Sequence, residues 1–191
     1  DYRALGSVGP TSLLVTLFTG FLIGMGAGVN VRVAHGLGAG NQKETEETIH
    51  SSFLICLVTG LIICVVGLTS SRAFLALLHT KDELMEGAVN YLRIYSLGMP
   101  ALGLYNFGNG VMSARGDTKR PLVYLLIAGV LNVIMNLIFV IGLHMAAEGV
   151  AIASVMAQYT SAGLVLHHLW RRRDVCRLQL RKVRFHRMAG Q

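Results

Sequence analysis

Five stretches of this chain run for about 20 residues or more without a charged side chain, and no other feature restricts its fold as strongly. They lie between Arg3 and Arg32, Glu47 and Arg72, Arg93 and Arg115, Arg120 and Glu148, and Glu148 and Arg171. A helix needs roughly 20 apolar residues to cross the hydrocarbon core of a bilayer. One buried soluble helix of that length would be unusual, and five in succession are implausible. Charged residues make up 14% of the chain, against about a quarter in soluble domains, and they gather between the runs. Barrel strands are excluded because segments such as Leu122 to Leu131 do not alternate in polarity. In lipid the backbone must satisfy its own hydrogen bonds, so continuous apolar runs mean helices. The reading is an all-α integral membrane protein, a polytopic bundle of about five transmembrane helices within residues 1–170. The expected spans are 8–33, 48–71, 93–114, 120–143 and 149–170, with a basic segment over 171–191.

Charge placement predicts orientation. Arg32, Lys43, Arg115, Lys119 and Arg120 fall on the same side as the tail. The tail adds Arg171, Arg172, Arg173, Arg177, Arg181, Lys182, Arg184 and Arg187, while Arg3, Arg72, Lys81 and Arg93 fall opposite. Positive residues mark the cytoplasmic side, so the N-terminus is expected outside and the C-terminal end inside. The net charge of +7 is then juxtamembrane, suited to lipid headgroups, and no nucleic-acid partner is expected. The first residue is Asp1 and no signal peptide precedes the first run, which reads as an excerpt of a longer protein.

Several motifs have plain structural readings. Gly36-Leu37-Gly38-Ala39-Gly40-Asn41 follows a membrane run rather than a strand, so it is a turn and not a phosphate cradle. Gly20, Gly24 and Gly28 share one helical face, where a second helix is expected to approach closely. Thr80 and Glu83 have capping-box spacing, Asp117 and Thr118 offer N-cap oxygens, and Pro121 suits a first helical turn. Cys56, Cys64 and Cys176 match no disulfide, zinc or redox pattern and are expected reduced. The histidines lack metal-ligand spacing, and no nucleophile, zincin or paired-carboxylate motif occurs. Neither an enzyme nor a cofactor is expected.

The polar residues inside the runs carry more. Asn106, Asn109 and Ser113 stand on one face of the third run, Asn132 and Asn136 on one face of the fourth, and Ser154 and Gln158 on one face of the fifth. Amides facing lipid would be unpaired, so these stripes face each other or a wet cavity. Glue between helices and a polar cavity both remain open on spacing alone. No Asp or Glu stands in the centre of any run.

The chain resembles the multidrug and toxic compound extrusion (MATE) transporters. The resemblance rests on Ala34-His35-Gly36-Leu37-Gly38-Ala39-Gly40-Asn41, Tyr91-Leu92-Arg93, and Ala114-Arg115-Gly116-Asp117-Thr118-Lys119-Arg120-Pro121. Asn132-Val133-Ile134-Met135-Asn136 and Gly149-Val150-Ala151-Ile152-Ala153-Ser154 complete it. It implies helices two to six of the N-terminal lobe of a twelve-helix protein, followed by the inter-lobe linker. The first helix and the C-terminal lobe would then be partners outside this sequence.

The activity so implied is antiport of protons or sodium against organic, often cationic drugs, by alternating access across a cell membrane, a bacterial cytoplasmic membrane for preference. By motif, Asn132, Asn136 and Ser154 correspond to an ion site completed in the family by an acid on helix one, with Asn109 nearby. Several members carry Asp where this chain has Asn136, and an amide cannot titrate near neutral pH. Asn106, Asn109, Asn132, Asn136, Ser154 and Gln158 are the candidate contacts for substrate or ion, with sodium assigned to Asn132, Asn136 and Ser154. A lipid or polysaccharide-precursor flippase and a non-transporting membrane scaffold are the alternatives.

Overall fold

The computed structural model describes residues 2–183, with side chains from Thr11 onward. Arg184 and Arg187 of the expected basic tail lie outside the described residues. Among the described residues six α-helices follow one another: α1 Tyr2–Gly38, α2 Gln42–Leu77, α3 Asp82–Ser96, α4 Met99–Ala114, α5 Lys119–Asn136 and α6 Ala147–Arg171. A π-helical segment, Leu137–Gly142, continues α5, and a short 3-10 turn, Leu180–Lys182, lies in the strap that follows α6. No strand occurs among the described residues. Four helical stretches among the described residues are long and apolar enough to cross a membrane: Thr11–Gly38, Gln42–Leu77, Lys119–Gly142 and Ala147–Arg171.

The expected span 93–114 is not a single helix. It breaks at Leu97 and Gly98, between α3 and α4. Pro100 has no N–H to offer the carbonyl four residues back, and its ring crowds that carbonyl. The N–H groups of Leu97 and Gly98 instead reach three residues back, to Ile94 and Tyr95, at 3.1 and 3.0 Å. Both residues keep right-handed dihedrals, so the chain is kinked rather than reversed.

The sequence-derived caps are met unevenly. Asn41 caps α2 by accepting from the Glu44 N–H at 3.1 Å. Gly40 supplies the positive φ of 69° that the α1–α2 turn requires. Asp117 accepts from the Arg120 N–H at 3.3 Å at the start of α5. The capping box at Thr80 does not form. Lys81 is the N-cap of α3 and makes no side-chain cap bond, and the Thr80 hydroxyl is buried without a partner.

The short α4 lies at the centre, packed against α1, α2 and α6. Its Tyr105, Phe107, Val111 and Met112 join Val29 and Val33 of α1, Ile49 and Phe53 of α2, and Val165 and Leu169 of α6 in one core. Phe53 and Phe107 meet edge to face with centroids 5.6 Å apart. Between membrane helices lipid supplies no hydrophobic drive, so such interlocking contacts carry the association. The glycines that permit it are not the expected stripe. Gly20, Gly24 and Gly28 each have open space where a Cβ would stand. Gly26 is the close approach: a Cβ there would lie 2.7 Å from the Asn106 carbonyl oxygen. On the facing helix, a Cβ at Gly110 would overlap the Gly26 carbonyl. A period of four found small residues, while the crossing uses a position off that row.

After α6 the chain doubles back as a strap over one end of the bundle. Cys176 and Leu178 are buried in the main core. Asp174 accepts from Arg172 at 3.2 Å and from Arg115, the C-cap of α4, at 3.3 Å. Lys182 pairs with Glu46 of α2 at 2.6 Å. The three cysteines are free and buried.

Candidate functional site

The polar stripes of α4, α5 and α6 converge on a cavity of about 580 Å3. Asn106, Asn132, Ser154, Gln158 and Ser161 supply its polar lining, Tyr95 and Tyr105 its aromatic lining, and Leu102, Leu125 and Ala157 part of its apolar wall. Among the described residues no carboxylate lines it.

The amides form a connected chain. The Asn136 side-chain amide donates to the Asn132 Oδ1 at 2.6 Å. Asn132 donates to the Ser154 hydroxyl at 3.4 Å, at the long end of the hydrogen-bond range. Ser154 in turn donates to the Val150 backbone carbonyl at 3.0 Å. This runs from α5 to α6 and uses the donors, while the Asn136 Oδ1 is buried with no partner. Gln158 Oε1 is likewise buried and unpartnered, lying where a Cβ on Gly98 would overlap it. Buried oxygens of this kind are rare and costly unless something accompanies them. The site is therefore rich in oxygen acceptors and suited to a cation or an N–H-bearing ligand.

The six sequence candidates divide. Asn106, Asn132, Ser154 and Gln158 line the cavity, and Asn136 joins it through Asn132. Asn109 does not line it. It accepts from Ser113 of its own helix at 3.3 Å, so the expected α4 stripe is split. Asn106 is buried and donates to the Leu102 carbonyl at 2.8 Å, which aims its amide along α4.

Four features escaped the sequence reading. Ser161 continues the α6 stripe seven residues beyond Ser154, and extending the spacing would have found it. Tyr95 and Tyr105 have no such signal, because an aromatic inside an apolar run reads as core. The Tyr159 hydroxyl donates at 2.8 Å to the Leu97 carbonyl, so α6 grips the α3–α4 kink beside the cavity. Asn136 is the last α-helical residue before the π segment, a wide turn that often accompanies functional sites. Among the described residues no group of three His, Cys, Asp or Glu side chains could hold a metal ion.

Four membrane-length helices, counted among the described residues and packed about an amide-lined cavity, define a multi-pass helical membrane protein. The MatE family model matches residues 2–138, and the chain belongs to that family. It is 22% identical over 186 residues to the probable multidrug resistance protein NorM of Thermotoga maritima, covering 95% of this chain and 39% of that protein. It is 22% identical over 166 residues to an FAD transporter of Shewanella oneidensis, covering 85% of this chain and 37% of that protein.

The fold matches a solved MATE transporter in its inward-facing conformation with a TM-score of 0.91 at 22% identity, covering 98% of this chain and 43% of the other. It matches an outward-facing MATE transporter with a TM-score of 0.92 at 21% identity, covering 100% and 42%. The chain thus spans about two fifths of the relatives it matches.

Proposed function

We propose that this chain forms most of the N-terminal lobe of a cation-coupled antiporter that exports organic, often cationic compounds by alternating access. The observation that carries the reading is the Asn136 Oδ1, buried and unpartnered at the end of an amide chain beside a cavity that no carboxylate among the described residues lines. Asn136 Oδ1 and the Ser154 hydroxyl would be this chain's oxygen donors to a sodium ion, with Asn132 fixing the orientation of both. Sodium needs more oxygens than these, so the remaining ligands would come from the first helix or from water. A proton could not reside on these amides. In a proton-coupled version the titrating acid also lies outside this sequence, and the amide chain orients it.

The near-equal likeness to inward-facing and outward-facing transporters supports movement of the lobe as a unit. Ion and substrate would then bias which face is open by binding one state better than the other. The positive strap end would face the cytoplasm of a cell membrane.

The test is efflux of an organic cation dye from proteoliposomes holding the full-length protein, under an imposed proton or sodium gradient. Gradient-driven movement is expected. Dye efflux that ignores both gradients would end the antiporter reading. Phospholipid or lipid-linked sugar transport in its place would establish the flippase.

A further inference from the structure

The strap after α6 sorts its basic residues into two sets. Arg172 pairs through Nε with Asp174, as does Arg115 at the C-cap of α4, and Lys182 pairs with Glu46, so these cations hold the strap to the bundle. The side chains of Arg171, Arg173, Arg177 and Arg181 are exposed and make no ion pair or hydrogen bond among the described residues. Between them Cys176 and Leu178 are buried, and the Leu178 N–H bonds the Leu169 carbonyl at 3.2 Å. The free arginines therefore stand on an anchored backbone rather than on a loose tail. Two large apolar side chains are exposed in the same segment, Trp170 at 58% and Leu180 at 65%. Trp170 precedes the arginines at the end of a membrane-length helix, and Leu180 stands between Arg177 and Arg181.

Guanidinium groups beside exposed Trp and Leu match the boundary between acyl chains and phosphates. The aromatic ring sits at headgroup level, and arginine bonds phosphate oxygens in a bidentate fork. We infer that the strap is a docking surface for anionic phospholipid headgroups, read by Arg171, Arg173, Arg177 and Arg181 with Trp170 and Leu180 entering the interface. Its occupant is lipid rather than an acidic protein segment, because the two apolar side chains stand exposed beside the cations. The inference needs only that the chain spans a membrane, and it is independent of what is transported or which ion drives it.

Native mass spectrometry of the full-length protein, with phosphatidylglycerol competing against phosphatidylcholine, tests it. The wild type is expected to retain phosphatidylglycerol preferentially, and the preference should fall as ionic strength rises. Changing all four arginines to Gln should reduce it about tenfold or more. Changing all four to Lys should keep most of it, since the charge remains. An unchanged preference in the Gln variant, or none in the wild type, overturns the inference. Displacement by millimolar inorganic phosphate at constant ionic strength overturns it too, by making this a soluble-anion site. So does an unchanged lipid profile in a Gln variant whose melting temperature falls in lipid-free detergent, which assigns the arginines to protein contacts. If the Gln variant fails to fold, salt-independent retention by the wild type still decides against it.

Discussion

The backbone N–H of Gln179 donates to the Nε2 of His50 at 3.0 Å, joining the strap to a helix 129 residues earlier in the chain. His50 is fully buried, and its other ring nitrogen lies 2.7 Å from the Glu46 carbonyl, an acceptor. Nδ1 must therefore carry the proton and Nε2 the lone pair, which fixes the neutral tautomer wherever the strap is docked. His50→Leu should leave the Gln179 N–H unpaired and weaken docking by about 1–3 kcal/mol. His50→Gln can donate and accept along similar directions and should recover most of the loss. Hydrogen exchange at Gln179 measures both, and equal protection in all three proteins would mean that the bond contributes nothing.

Cys176 reports the same docking through its chemistry. Burial first, and then Asp174, push its thiol above the ordinary value of 9.0, against an opposing pull from Arg115 and Arg172. A thiol whose docked pKa is raised favours the docked state fully below pH 9, and that contribution fades as pH rises through the higher docked value. In a Cys56→Ala, Cys64→Ala background, the maleimide labelling rate is divided by the rate for denatured protein at each pH. The ratio should be far below one at neutral pH and climb in the alkaline range. A ratio near one at pH 7 would show an undocked strap.

Gly26 and Gly110 form one crossing, so their substitutions should not add. Gly26→Ala drives a methyl into the Asn106 backbone, and Gly110→Ala drives one into the Gly26 carbonyl. Each should destabilise the bundle by about 1–3 kcal/mol, as overpacking does elsewhere. The double variant should lose less than the sum, because the first substitution already separates α1 from α4. Thermal unfolding in detergent checks the cycle, and strict additivity would place the two strains in different contacts.

Transport should separate Asn136 from Asn109. Asn136→Leu removes the unpartnered oxygen and leaves the Asn132 Oδ1 without its donor. Gradient-driven efflux should fall about tenfold or more, since a group bonded only to a charged ligand contributes about 1.5–3 kcal/mol. Asn109→Ala breaks a contact within one helix and should transport within about twofold of wild type, as surface-like changes do. Equal losses would mean that the amides serve packing rather than transport.

Much of this was legible in the residues. Absence of charge located the membrane-length helices, because charges are excluded from hydrocarbon over a fixed length. Spacing of three, four and seven brought Asn106, Asn132, Asn136, Ser154 and Gln158 to one place, because buried amides must find partners. The kink was visible in Gly98-Met99-Pro100, yet the uncharged run from Arg93 to Arg115 masked it, since hydropathy does not register a missing N–H. The row Gly20, Gly24, Gly28 misled because small residues permit an approach without requiring one, and only the partner helix selects Gly26. Nothing in Leu137–Gly142 distinguishes a π turn from an α turn by composition.

That wide turn gives the amide chain a property that a regular helix would lack. The Leu143 N–H reaches back to Ile138 at 3.0 Å, five residues rather than four, so the helix carries one residue of slack just past Asn136. Sliding the slack back by one step would swing the Asn136 amide through about 100° with the helix ends stationary. Deleting Ile138 should take up the slack and freeze the amide in one direction. A shortened protein that still cycles at the wild-type rate would show that the spare residue is never used.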